Sequence, residues 1–242
     1  MSAVNTQLLH ILADLWRARG EASVAIDGGR IRRVVHVVRG ELVWVESDVH
    51  TERLGVQLVA DWLLDARKVE ELVSAARVKS RTLGEHLVAE GLITPQTMNS
   101  AVEKQCLQRF DRALTMTGTV TVTPRLPGRI VVRRPLGPEI VRAFRDRLPV
   151  ATASALVAGL MPRHDRLLEQ FVSAEALQLT GAELRYFRQL ASGQGVGSVL
   201  DRAQDYNQAL RFIGALVAMG AVGGEEIDVN VDASVPRPQF AF

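Results

Sequence analysis

One cysteine, Cys106, stands in 242 residues, so no internal disulfide can form, and aromatic side chains make up only 5% of the chain. The core must therefore be aliphatic. Lysine is nearly absent, with 3 among 29 basic residues, an arginine excess better explained by a GC-rich coding bias than by nucleic-acid binding. No run of roughly 18 apolar residues occurs, the nearest being Phe212 to Gly220, and this excludes a membrane-spanning helix. The first residues also lack the basic start and apolar core of an export signal, so a cytoplasmic location is expected. Hydrophobic residues form 47% of the chain and charged residues 23%, the composition of an ordinary globular protein of one large or two small domains. Disorder of the whole chain and a fibrous repeat are excluded.

The formal charge of +2 is unevenly distributed. Residues 1–123 carry 15 basic and 15 acidic groups, residues 124–149 seven arginines against Glu139 and Asp146, residues 150–222 six of each, and residues 223–242 one base against four acids. A segment of +5 and a tail of −3 are hidden in the near-neutral total.

Residues 5–19 set Leu8, Leu9, Leu12, Leu15 and Trp16 on one helical face, with Asn5 or Thr6 as cap and Gly20 past the end. Ala22 to Ile26, Ile31 to Val38 and Glu41 to Glu46 predict a three-strand antiparallel meander, broken by the turns Asp27-Gly28-Gly29 and Arg39-Gly40. Such a sheet is marginal alone and needs helices over its apolar face. From Arg53 to Gln105 the pattern is helical and repeats with a period of 29 residues: the unit from Arg53-Leu54-Gly55 returns at Thr82-Leu83-Gly84, with seven identities over 24 aligned positions. Each unit predicts a helix, a tight turn and a second helix, the last continuing through Cys106, Phe110 and Leu114. Thr94-Pro95 marks a helix start. Thr119 to Thr123 alternates like a strand able to join the meander's edge.

The expected class is α+β: a small antiparallel meander covered by helices, including a tandem helical-hairpin repeat, followed by an all-helical, winged-helix-like C-terminal domain. The expected division is an α+β domain at 1–123, an Arg/Pro-rich linker at 124–138, a helical domain at 139–222 and an acidic, partly disordered tail at 223–242. Helices are predicted near 139–148, 151–160, 182–191, 195–203 and 206–219, with a short amphipathic piece at 166–171 and an extended segment from Val222 to Val231.

The leading helix, the meander through Val37-Val38-Arg39-Gly40-Glu41-Leu42-Val43-Trp44 and the tandem Leu-Gly-x-x-Leu-Val repeat together resemble the PATAN-type domain of bacterial signalling proteins, over about residues 5–123. The resemblance implies a non-enzymatic interaction or adaptor module in signal transduction or in gliding motility and cell polarity. It implies another protein as partner, of the small-GTPase, receiver-domain or motility and polarity class; a homo-oligomer is compatible with it. The repeat alone is similar to the N-terminal domain of type II secretion and pilus ATPases, which binds cyclic di-GMP. That similarity makes Arg53, Gly55, Arg81, Gly84 and Gln105 candidate dinucleotide ligands, since arginine grips a phosphate bidentately and a helix start offers N–H groups. Each unit lacks one anchor, however: Ala76 replaces the first closing glutamine and Thr82 the second arginine, while Arg81 sits one position early, about 100° around a helix. The Leu-Gly pairs are therefore read as close-packing elements, and no cofactor is expected.

Gly193-Gln194-Gly195-Val196-Gly197 lacks the Lys-Ser/Thr of a phosphate loop and follows a helix, so it is read as a helix end and turn. His10, His36, His50, His86 and His164 have no metal-ligand spacing, and no metal is expected. Cys106 falls on an apolar stripe, where a thiol is an inert small hydrophobe. No catalytic residues are expected. The last helix carries Leu210, Phe212, Ile213, Leu216 and Val217 with Arg211 as its one base, which argues against a DNA-reading winged helix. Candidate partner contacts are Arg125, Arg129, Arg133 and Arg134, for charge steering, and Leu156, Leu160 and Phe171, as apolar docking residues.

Overall fold

The computed structural model describes residues 5–124, 127, 128, 130–160, 166, 167 and 172–223. Helix α1 (Thr6–Arg17) is capped by Asn5, whose side chain accepts from the Leu8 N–H, and it buries Leu8, Leu9, Leu12 and Leu15. Gly20 closes its end by donating to the Leu15 carbonyl. Strands β1 (Ala22–Asp27), β2 (Arg32–Val38) and β3 (Glu41–Ser47) form the expected antiparallel meander. Arg39 and Gly40 both have positive φ, 54° and 73°, as a two-residue turn between twisted strands requires.

Two more strands complete the sheet in the order β4-β1-β2-β3-β5. Strand β4 (Thr119–Thr123) joins the meander's edge against β1, as its alternation predicts. Strand β5 (Arg134–Pro135) pairs with Glu41 and Leu42 on the opposite edge. The described end of the Arg/Pro-rich segment is thus laid along the sheet. A bulge between His36↔Trp44 and Val37↔Leu42 leaves Val43 as the extra residue of β3. The extra residue lets Leu42 and Val45 both reach the core, and its carbonyl accepts from Val131 N–H and Val132 N–H at 3.2 and 3.0 Å.

The tandem repeat forms α2 (Leu54–Ala60), α3 (Val69–Val78), α4 (Leu83–Ala89) and α5 (Pro95–Leu114). Its two turns have the same hydrogen bonds. Leu63 N–H and Leu64 N–H donate to the Leu58 carbonyl at 2.8 and 3.2 Å, and Leu92 N–H and Ile93 N–H donate to the Leu87 carbonyl at 2.9 and 3.3 Å. The glycines also correspond: a Cβ on Gly55 would lie 3.3 Å from Leu83, and one on Gly84 would lie 3.5 Å from Leu54. Leu58, Leu87, Ile93, Met98 and Ala101 form a small core of their own at this crossing.

The rest is helical: α6 (Leu136–Asp146), α7 (Val150–Ala158), α8 (Ala174–Leu177), α9 (Gly181–Ala191), α10 (Val196–Asp201) and α11 (Tyr206–Ala218). Helix α6 begins three residues before the predicted Glu139, because Leu136 is itself fully buried. Most of the piece predicted at 166–171, and the tail beyond Gly223, lie outside the described residues. Gly214 lets α11 touch α7, since a Cβ there would sit 2.7 Å from that of Ala153. One apolar cluster runs from Leu8 and Val35 through Phe110 and Phe144 to Leu216, so residues on both sides of the Pro-rich segment share a core. No helix among the described residues is long and apolar enough to cross a membrane.

The two hairpins differ where the first helix of each ends. Trp62 has φ 59° at the left-handed end of α2, where its counterpart Gly91 has φ 69°, and the indole is 94% exposed. A left-handed conformation costs a non-glycine residue roughly 1 kcal/mol or more, and an exposed ring returns little of it. Trp62→Gly is expected to raise stability by about 1 kcal/mol in urea unfolding; a lower midpoint would show that the ring packs against the fold.

Candidate interaction surface on the tandem repeat

The repeat is fastened to the sheet through Glu52, in the short turn before α2. Its side chain is 3% exposed and forms an ion pair with Arg33 of β2, itself 8% exposed, and with Arg112 of α5 at 3.0 Å. Its backbone carbonyl accepts from Gln105 Nε2 and from Arg109 Nη2, both at 2.7 Å. Arg109 also donates to the Val45 carbonyl at 3.0 Å and lies 5.2 Å from the centre of the Trp44 ring. One residue therefore receives groups from β2 and α5 while α2 starts beside it. Burial alone would push the Glu52 carboxyl up, but hydrogen bonds from Arg33 and Ser47, the Arg33 charge and the Arg112 hydrogen bond together hold it below its ordinary value. Burial lowers the pKa of Arg109 despite the nearby Glu52 charge.

Two grooves flank α5. One, of about 170 Å³, is lined by Thr51, Val56, Ala60, Gln105, Gln108 and Arg112. The other, of about 290 Å³, is lined by Lys104, Leu107, Asp111, Arg142 and Arg147. In the second, burial opposes the charge of Arg142, yet its contacts with Asp111 at 2.6 Å and Glu139 at 2.5 Å raise its pKa.

The repeat carries large apolar side chains in solvent, of which Val56 lines the first groove. Trp62 and Val78 are 94% and 87% exposed, and Val56, Leu63 and Leu92 are also in solvent. All five lie between residues 56 and 92. Leu63 and Leu92 occupy equivalent turn positions, beside the ion pairs Asp61–Lys104 and Glu90–Lys79, each 2.6 Å. Trp62, Leu63 and Leu92 belong to the turns after α2 and α4, Val56 to α2 and Val78 to the end of α3, while the apolar side chains at the crossing are buried.

The candidate dinucleotide ligands are differently employed. Arg53 is exposed at the start of α2 and Arg81 is exposed after α3, while Gly55 and Gly84 admit neighbouring side chains. Gln105 is buried with its amide given to the Glu52 carbonyl. Among the candidate partner contacts, Arg133 pairs with Glu41 at 2.8 Å and Arg134 with Glu103 at 2.6 Å. Leu156 and Leu160 are half-buried against the main core. Arg125, Arg129 and Phe171 lie outside the described residues. Gly193 has φ 85° and donates to the Leu190 carbonyl, and Gly195 precedes α10, so the Gly-rich stretch is a helix end and turn.

Cys106 is fully buried, and its desolvated thiol is pushed up to about 12. His36 Nδ1 lies 2.7 Å from Ser23 Oγ, and burial holds its pKa below the ordinary value despite the nearby Glu46. Among the described residues no cluster of three or more His, Cys, Asp or Glu is placed to hold a metal ion. No family model, curated protein or solved structure matches this chain.

Sequence reading overlooked Glu52, Arg33 and Arg109, because their separation along the chain carries no periodic signal. Their geometry has a pH consequence. A carboxyl with a depressed folded pKa adds stability above its unfolded value of 4.5 and loses it as pH falls through the folded value. Glu52→Gln leaves Arg33 buried without a countercharge and is expected to cost about 3 kcal/mol at pH 7. Urea unfolding of both proteins at several pH values checks this: the difference should narrow below about pH 4.5, and a constant difference would assign the acid sensitivity elsewhere.

Proposed function

We propose that this chain is a non-enzymatic adaptor of bacterial signal transduction or of motility and polarity regulation, working in the cytoplasm by docking another protein on its tandem helical repeat. The observation that carries the reading is Trp62, an almost fully exposed indole held in a conformation for which the equivalent position uses glycine. Local strain of this kind persists where a side chain is needed for something other than packing. Tryptophan is also the side chain most often dominant at protein interfaces, because it combines a large apolar area with few rotatable bonds. Leu63 and Val56 are also exposed on this first hairpin, and the grooved flank of α5 provides polar groups at the rim. A partner of the receiver-domain or small-GTPase type would present a complementary apolar pocket.

The test exploits the expected stability of the glycine variant. Crosslinked pull-downs from native lysate with wild-type and Trp62→Gly baits should recover one dominant protein with wild type, reduced at least tenfold with the variant. Since the variant is expected to be the more stable protein, such a loss cannot be assigned to unfolding. A wild-type bait that recovers nothing above a mock bait would sink the adaptor reading.

A further inference from the structure

The two edges of the sheet are finished in different ways. At the β3 edge, Val131 and Val132 donate to the Val43 carbonyl, Pro135 lies in the outer strand, and Arg133 is paired with Glu41. A proline, charge and an overlying segment are ordinary devices for preventing another chain from pairing there. Among the described residues none of these lies on β4 itself. Thr119-Val120-Thr121-Val122-Thr123 pairs, among the described residues, with β1 on one side only, and the strand contains no charge, proline or bulge. Its threonines are exposed, while Val120 and Val122 are half-buried against the main core.

This edge is self-complementary, because its sequence reads the same in both directions about Thr121. Antiparallel pairing with a second copy across a two-fold axis through Thr121 sets Val120 opposite the second copy's Val122, and Thr119 opposite its Thr123. Every valine meets a valine on the core side and every threonine a threonine on the other. Such matched β-branched pairs are favourable across strands, and an uncharged edge brings no like charges together. We propose that the chain self-associates through β4 into a symmetric dimer with one continuous ten-stranded sheet, each copy contributing the five strands described. Five residues are a short seam, well under the roughly 1,200 Å² that separates transient from stable interfaces, so the dissociation constant should be on the order of 100 µM. The dimer stands apart from the adaptor reading, and Trp62→Gly should dimerise like wild type.

The symmetry supplies the test, made on the full chain. In the dimer Thr121 faces its own copy at about 5 Å, whereas Thr119 lies roughly 14 Å from its own copy. A disulfide spans at most about 7 Å between Cα atoms. Cys106 is buried and its thiol is pushed up to about 12, so the wild type is a silent background. Under mild oxidation Thr121→Cys should give a covalent dimer at least tenfold faster than Thr119→Cys. In sedimentation velocity the wild type should dimerise with concentration, Thr121→Lys and Thr121→Glu should each be monomeric, and an equimolar mixture should regain the dimer. A wild type that stays monomeric to about 500 µM, equal crosslinking at the two positions, or a Thr121→Lys protein that dimerises normally would each overturn the proposal. If the charged variants fail to fold, the ratio of the two crosslinking rates still decides.

Discussion

The buried carboxylate of Glu52 is the joint on which the arrangement depends. Arg33 of β2 and Arg112 of α5 pair with the carboxylate, and Gln105 and Arg109 of α5 donate to the residue's backbone carbonyl, so Glu52 ties the meander to the long helix. A meander of three strands with one apolar face is weak alone, and α5 supplies the missing cover through Cys106, Phe110, Ala113 and Leu114. The direction in which α5 crosses the sheet is therefore decided partly by ionic geometry and partly by apolar packing. Burying an arginine with its partner is costly, but the carboxylate is satisfied by both Arg33 and Arg112, and removing it would strand the buried Arg33.

From this joint the two hairpins of the repeat extend as near copies. Their identities are concentrated where the copies touch, at Leu54-Gly55 and Leu83-Gly84, and where the first helix must stop. Divergence is tolerated at positions that face water or a different neighbour. Gln57 donates to the Ala101 carbonyl across the crossing, whereas its counterpart His86 lies near Glu90 at 3.7 Å. At Trp62 the divergence works against local conformational preference, because the equivalent position holds Gly91. The ring is 94% exposed, so packing within the described fold does not account for it.

Much of the fold was legible because its signals are local. The alternation of Val34 to Val38, the Thr94-Pro95 start, the 29-residue period and the apolar run of α11 each predict an element that is present. Thr119 to Thr123 was recognisable as a sheet edge for the same reason. Less local features were not recoverable. Strand β5 contains a proline and only two residues, and the chain just before it is held by the Val43 carbonyl at the bulge. The Glu52 cluster joins residues from 33 to 112, a separation that no pattern in one sequence reports. Exposed residues such as Trp62 carry no periodic signature either, since their meaning lies in what they fail to touch.

The positive segment at 124–149 shows how far a charge count can lead. Its five described arginines all meet carboxylates: Arg133 with Glu41, Arg134 with Glu103, Arg142 with Asp111 and Glu139, Arg145 with Glu183, and Arg147 with Asp111 at 3.6 Å. Glu41, Glu103 and Asp111 come from the sheet and α5, and Glu183 from α9. These arginines span from the early chain to the late helices, over the continuous apolar cluster beneath them. Exposed pairs contribute little individually, so the apolar cluster sets the stability of this seam and the ion pairs set its register. A segment that looked in sequence like a charged connector between two bodies therefore works, in its described part, as the lacing that joins them.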